Sequence, residues 1–435
     1  MNQLILKNLW ARRSRNLWLL AEIVLVCIVS WKIADPLVVL THDRTLPEGF
    51  RSDHLFVLEL ATLPEKSGKF RPEEDDSLPR RENLGRIFQQ VKNYEGVESA
   101  TFFFNRIMPY SGSSTTSPQT FKGDSTYMPA WQISFLNRSD FFRTMGFEGA
   151  EGMTAGELDE RIFDKDEYVL TANTSEFFLH PESPLTGRTT WNNDSTAEYR
   201  VAGVIKPFRY RSYMQPQPVR LNPLSVMPER YYSDLPQIVF RIGDRLSEEV
   251  FLHHFIPWTG KELKAGNIYV NSVQSYTDLR KQSEFSAGTT DTYRKNITLG
   301  LFFLINLCLG VAGTFWLQTR TRREEVGIML SFGARPQNIV RMLLGEGWVL
   351  TTIGTLLGCL VYLQYALKEG LYSTNWGSWS PEVASPAYWI NHFGWHFLAT
   401  SLMVYILLLI VVSVGIWIPA RKISRINPVD ALRDE

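Results

Sequence analysis

Four stretches of the chain stay apolar for about 20 residues, the length that crosses a bilayer core as a helix. They are Leu17–Leu40, Ile297–Leu317, Leu344–Leu367 and Phe397–Ile418. The first is the weakest, because Glu22, Lys32 and Asp35 interrupt it. An acid inside a membrane is costly, so Glu22 is expected near the headgroups or against another helix. The block reads as a retained anchor: its apolar run outlasts the core of a signal peptide, and no small-x-small cleavage site follows. Between the first two spans the pattern changes. Alternating or short apolar runs suited to strands occur at His54–Leu60, Ala100–Phe104, Trp131–Phe135, Tyr168–Leu170, Tyr199–Ile205, Gln237–Ile242 and Ile268–Val270. Helical periodicity occurs at Arg80–Tyr94, Ser175–Leu179 and Ser247–Phe255. Glu65–Pro79 and Ser111–Thr120 read as loops, and the proline-rich Tyr210–Tyr231 as an extended excursion. The pattern predicts a membrane protein: an α-helical bundle of four transmembrane helices, with a large α+β extracytoplasmic domain inserted between helices 1 and 2.

Between the second and third spans lies a segment of another kind. Arg320, Arg322 and Arg323 lead into Glu324-Glu325, then the short apolar-periodic stretch Val326–Phe332, then Gly333-Ala334. This order predicts a small helix. Acids at its start complement the helix dipole, and Gly333 supplies a C-terminal break. Val326, Ile328, Met329 and Phe332 can offer apolar anchors to a groove on a soluble partner, the helix-in-groove mode. The same amphipathic pattern also fits an elbow lying on the inner leaflet, and the two readings are compatible. Upstream, Tyr276–Arg294 is polar and helix-compatible and runs straight into the second span, as a stalk or as a plain linker.

Charge orients the spans. Lys7, Arg12, Arg13 and Arg15 precede the first, Arg320, Arg322 and Arg323 follow the second, Arg335 and Arg341 precede the third, and Arg421, Lys422 and Arg425 follow the fourth. By the positive-inside rule both termini and the short helix are cytoplasmic, and the large domain is outside. Arg294 and Lys295 point the other way but flank a long domain, whose charges count for little. The formal net charge is zero and no basic stripe with interleaved aromatics appears, which argues against nucleic acid. The three cysteines, Cys27, Cys308 and Cys359, all lie in apolar blocks, so the large domain has no disulfide framework and no cysteine metal site.

Catalytic chemistry is not written into the chain. It has no G-x-x-x-x-G-K-[ST] phosphate loop, no H-E-x-x-H, no G-x-S-x-G and no Cys/His ligand spacing. His253-His254 are helix neighbours pointing to different faces, and Glu73–Asp76 read as solvated acids of a loop. No catalytic residue, metal site or cofactor bound by this chain is expected.

The run Arg322–Gly347 resembles the signature of FtsX-like permeases, the membrane subunits of MacB-type ABC transporters. Glu325-Val326-Gly327-Ile328 matches its acidic start, Leu330 to Gly333-Ala334 its Leu-x-x-Gly-Ala turn, and Glu346 the acid near the third span. Pro419–Arg433 resembles the family's PA-x-x-A-x-x-x-x-P-x-x-AL-R tail, with Ile423 in place of the usual Ala. In the large domain, Asp140–Phe147 with Glu151-Gly152 and the stretch Tyr199–Phe208 resemble segments of the MacB-type periplasmic domain, although Met153 stands where Arg is usual. The first span is similar to the anchors of Bacteroidetes members.

The resemblance implies a division into a cytoplasmic N-terminus and first span (1–40), a periplasmic MacB-like domain with stalk (41–295) and a second span (296–319). A cytoplasmic coupling helix (320–343), a third span (344–367), a short periplasmic loop (368–395), a fourth span (396–418) and a cytoplasmic tail (419–435) follow. It implies a non-catalytic permease subunit in a bacterial inner membrane. A separate MacB/LolD-like ATPase, carrying the ATP and Mg, would dock on Glu324, Glu325, Val326, Gly327, Ile328, Met329, Phe332, Gly333 and Ala334. It further implies a second permease copy or a paralogue, for which Gly300, Gly310, Gly313, Gly354 and Gly358 offer small-residue faces. A periplasmic adaptor, an outer-membrane channel and membrane lipid are further expected partners. The expected work is export or extraction of an envelope substrate such as an antibiotic, peptide or lipoprotein. The alternative is an FtsX-like transducer that regulates cell-wall hydrolases or serves a sensing complex.

Overall fold

The computed structural model of the chain describes residues 13–122, 127–177, 184–191, 197–321, 323–374 and 385–425. Lys7, Arg12, Arg322 and most of the motif after Arg425 lie outside the described residues. In chain order the helices are α1 (Arg13–Thr45), α2 (Ser77–Lys92), α3 (Phe141–Met145), α4 (Ala155–Glu160), α5 (Arg230–Ser233), α6 (Glu248–Glu262) and α7 (Tyr276–Ser286). The last four are α8 (Thr289–Thr321), α9 (Arg323–Ser331), α10 (Pro336–Glu369) and α11 (Phe393–Ile423). The strands are β1 (Leu55–Thr62), β2 (Val97–Phe103), β3 (Thr116–Phe121), β4 (Tyr127–Leu136), β5 (Glu167–Thr171) and β6 (Thr189–Trp191). They continue with β7 (Glu198–Ile205), β8 (Val219–Leu224), β9 (Gln237–Ile242), β10 (Lys264–Ala265) and β11 (Ile268–Ser275). Two units result: residues 43–290 with 374–388, and residues 1–42, 291–373 and 389–435.

The first unit is α+β. An antiparallel sheet of order β10-β11-β1-β9-β2 stands beside a closed barrel of order β3-β4-β8-β5-β7-β6, in which β4/β8 and β5/β7 run parallel. Successive strand residues point to opposite faces, and here both faces are buried. Leu55, Val57, Phe103 and Val239 enter the core that the sheet shares with barrel residues Ile133, Val169 and Leu221. Their neighbours Phe56, Leu58, Phe102 and Phe240 enter a second core with Leu84 and Ile87 of α2 and Phe251 and Phe255 of α6. All seven strand runs expected from the pattern are strands. Four were not expected: β3 falls partly in the expected loop Ser111–Thr120, β8 falls in the proline-rich excursion, and β6 and β10 are short. The Ser175–Leu179 helix is instead a 3-10 turn over Ala172–Phe177, with residues 178 and 179 outside the described set. The stalk breaks after α7, where Gly288 takes φ +68° before α8 begins.

This unit also takes in residues from the connection between α10 and α11. Asp43, fully buried, accepts hydrogen bonds from Gln215 Nε2 at 3.3 Å and Thr374 Oγ1 at 2.6 Å, and the Ser385 hydroxyl donates to Glu176. The expected short periplasmic loop 368–395 is therefore bonded into the α+β fold at Thr374 and Ser385.

In the second unit, α1, α8, α10 and α11 are each long and apolar enough to cross a membrane, which makes this a multi-pass membrane protein. Each helix overruns its apolar window: α10 starts at Pro336 and α11 continues through Pro419 to Ile423. Hydropathy marks the bilayer-depth portion, whereas helical hydrogen bonding continues until a cap or breaker stops it. Trp31 of α1 lies at the centre, stacked on Tyr362 of α10 at 4.5 Å and on Phe397 of α11 at 4.9 Å, with its Nε1 donating to Ser401 Oγ at 3.2 Å.

Candidate functional site

The short helix α9 is present where the sequence places it. Its end is a Schellman motif: Gly333, at φ +85°, donates its N–H to Leu330 O at 3.0 Å, and Ala334 donates to Met329 O at 2.9 Å. Arg335 then caps α10, and Pro336 occupies its first turn, where a missing N–H costs nothing. The element is thus clipped between two defined stops.

From Glu324 onward its residues divide into two faces. Val326 is 1% exposed, Gly327 is buried, and Leu330 packs against the same helical core as Val326. Glu324, Ile328 and Phe332, spaced i, i+4, i+8, form the outward stripe, with Ile328 47% and Phe332 87% exposed. Glu325 is exposed beside them, and Met329 and Ala334 are half-buried. Val326 was expected among the outward anchors; this is corrected, because it holds α9 to its own chain. Glu346 is buried in α10.

The five glycines expected at a dimer face are mostly used inside the chain. A Cβ added at Gly354 would come within 2.6 Å of Ile23 Cγ2, and one at Gly358 within 2.7 Å of Cys27 Cβ. Both belong to the seam between α10 and α1. A Cβ at Gly310 would strike the Glu22 carboxylate, so Glu22 faces another helix, and one at Gly300 would lie 3.3 Å from Ile33. Only Gly313, of these five, has open space before it. The small-xxx-small spacing therefore works as a packing device, but the helix it admits is α1.

A polar pair went unnoticed in the sequence. Asp35 Oδ1 lies 2.8 Å from His396 Nε2, off the line of a good hydrogen bond, with both side chains under 5% exposed; Asp35 Oδ2 accepts from Tyr372 N at 2.9 Å. The signal available was Asp35 itself, an acid in an apolar run, which requires a partner. His396 stands at the start of the fourth apolar block, far away in sequence.

In the α+β unit the motif segments serve the fold. Phe141, Phe142 and Met145 are fully buried, and Gly146, at φ +66°, closes α3 where Arg51 leaves no room for a side chain. Asp159 accepts from Phe142 N and Arg143 N, both at 2.8 Å. Burial pushes its carboxyl up to about 6, against the opposing pull of those two bonds. Glu151 accepts from Leu185 N and from Thr186 N and Oγ1; burial opposes ionisation there, but the three bonds win and hold it below the ordinary range. Met153, in place of the usual Arg, packs against the shared core. Among the described residues no group of three or more His, Cys, Asp or Glu could hold a metal ion.

Residues 297–428 match the family model for the FtsX-like permease C-terminal domain. The macrolide export ATP-binding/permease protein MacB of Wolinella succinogenes is 32% identical over 143 residues, covering 32% of this chain and 19% of the relative. MacB of Shigella sonnei is 26% identical over 151 residues, covering 34% of this chain and 20% of the relative. The chain thus spans about a fifth of the length of these curated relatives. Among solved structures, the periplasmic region of MacB from Actinobacillus actinomycetemcomitans aligns with a TM-score of 0.30 at 10% identity, over 54% of this chain and 94% of that one. The extracellular domain of the ABC-type transporter YknZ from Gram-positive bacteria aligns with a TM-score of 0.27 at 10% identity, over 50% of this chain and 100% of that one. Residues 297–428, which hold the last three of the four apolar helices, are thus similar to the FtsX-like permease C-terminal domain and to part of MacB.

Proposed function

We propose that the chain is the non-catalytic permease subunit of an ABC complex, driven by a separate ATPase that binds ATP and Mg and docks on the outward stripe of α9. Both termini and α9 face the cytoplasm, and the α+β unit lies outside the inner membrane. Motion received at α9 passes through the spans to the α+β unit and drives export or extraction of an envelope substrate: an antibiotic, a peptide or a lipoprotein. A second copy or a paralogue completes the membrane part, alongside an adaptor and an outer-membrane channel where the envelope has one.

The observation that carries this reading is the exposed pair Ile328 and Phe332 behind an acidic first turn, on a helix whose other face is anchored. Burying two such side chains in a groove is worth roughly 1.5–3 kcal/mol each, and an acidic first turn suits a basic rim. Because Gly327 faces inward, a bulky residue there would test the chain's own packing, so the informative changes are Phe332→Ala and the double reversal Glu324→Arg, Glu325→Arg. Each should cut co-purification of the partner ATPase, and its stimulated hydrolysis, by about tenfold or more, the size of an interface hot spot. Insertion and thermal stability should be unchanged. Full binding and full stimulation in both variants would leave α9 a membrane elbow and end the proposal.

A further inference from the structure

A cleft of about 280 Å³ opens within the α+β unit and has no part in the docking just described. One wall is a face of α7 carrying Leu279, Ser283 and Ser286, at i, i+4 and i+7. The facing wall comes from the loop after β2 and from Arg211 and Tyr213. That loop is held in an unfavourable backbone: Asn105, Arg106 and Tyr110 take φ of 55°, 58° and 66°. Left-handed conformations at residues with side chains gather where a binding surface needs them.

The two cations in the cleft differ. Arg106 is already neutralised, its Nη2 2.8 Å from Glu59 Oε1. Arg211 is fixed without an acid: its Nη1 donates to Tyr213 Oη at 2.8 Å and its guanidinium lies 5.3 Å over the Trp131 ring. Among the described residues no carboxylate pairs with it. A guanidinium immobilised by an aromatic ring and a hydroxyl, in a concave site, is a receptor for an anion at little ordering cost. Met108 and Leu279 supply an apolar flank, which suits an organic anion better than an inorganic phosphate. Ligand sites for larger molecules run to about 300–1,000 Å³, so the occupant is small.

We propose that this cleft binds a small organic carboxylate of about dipeptide size, its carboxylate on Arg211 and its body along α7. The site would give the α+β unit a chemical input of its own, because the chain of α7 continues through Gly288 into α8. It stands or falls independently of the docking at α9.

The test uses the full chain in lipid nanodiscs and a panel of N-acetyl dipeptides ending in an apolar residue, each as free acid and as C-terminal amide, followed by calorimetric titration. The free acids should bind and the amides should bind at least about tenfold more weakly, the effect of losing one charge-assisted pair. Arg211→Gln should lose the acid-over-amide preference, whereas Lys281→Gln, on α7 but outside the cleft, should keep it. No binding of any acid below about 10 mM, equal binding of acids and amides to the wild-type chain, or an unchanged preference in Arg211→Gln overturns the proposal. The acid and amide comparison needs no variant, so a folding failure of Arg211→Gln does not protect it.

Discussion

Helices α1 and α8 are both long and apolar enough to cross a membrane, yet they hold opposite positions in the helical unit. In α1, 56% of the most apolar window is buried; in α8 only 11% is. The charge-interrupted helix is the interior one, and the uninterrupted helix is the one left bare. Physically the two facts are linked. Glu22 and Asp35 need protein neighbours, and they have them at Gly310 of α8 and at His396 and Tyr372. A helix without such groups is free to show Leu301, Phe302, Ile305 and Leu309 to lipid or to a second copy. An acid in an apolar run is thus a sign of interior placement as much as of a poor span.

The comparison breaks most easily at Trp31. Trp31→Ala removes a fully buried ring with two stacking partners and should cost about 3–5 kcal/mol, read as a fall in the unfolding midpoint of the purified chain in detergent. Leu309→Ala on α8 should stay within about 0.5 kcal/mol of wild type. Equal losses at the two positions would show that α1 is no more interior than α8. Next in size is pH, which acts on the other unit. Asp159 holds its proton in the fold up to about 6, against an ordinary 3.8, so between those values the folded chain binds a proton that the unfolded chain has released. Stability is therefore lost as pH rises through that window, by roughly 3 kcal/mol at most. The wild-type midpoint should converge on that of Asp159→Asn at low pH and fall away from it towards pH 7; parallel curves would reject the shift.

Smaller again is Asp35→Asn, which keeps an oxygen for Tyr372 N but removes the charge beside His396. A loss of about 1–3 kcal/mol is expected, and a gain would mean the buried pair is costing stability. The least perturbing test is cross-linking. In a chain lacking Cys27, Cys308 and Cys359, single cysteines at Leu309 or Ile305 of α8 should link two copies in membranes, while one at the buried Trp31 should not. Absence of linking along the whole of α8 would leave its bare face to lipid alone.

How much of this was legible beforehand depends on how local the cause is. The four spans and the seven strand runs follow from period and length. Strands β3, β4 and β8 contain Pro118, Pro129 and Pro223, and proline argues against a strand. Of these, β3 and β8 do not read as strands, and β4 reads as one only from Trp131. The acidic start and glycine stop of α9 were visible, since both are chemical needs of a helix end. Which of its apolar residues face outward was not, because that depends on the core it packs against. The same limit applies to Gly354 and Gly358: spacing announces a close approach, and only the fold says that Ile23 and Cys27 make it.

The bonds from Thr374 to Asp43 and from Ser385 to Glu176 bear on how this protein can be cut. A fragment ending at residue 290 would contain every described strand and still be short of its own fold. Its fully buried Asp43 would lose the Thr374 hydroxyl, and Glu176 would lose Ser385. Excision calls for two pieces of chain, with residues 374–388 returned through a linker, or for a neutral residue at position 43.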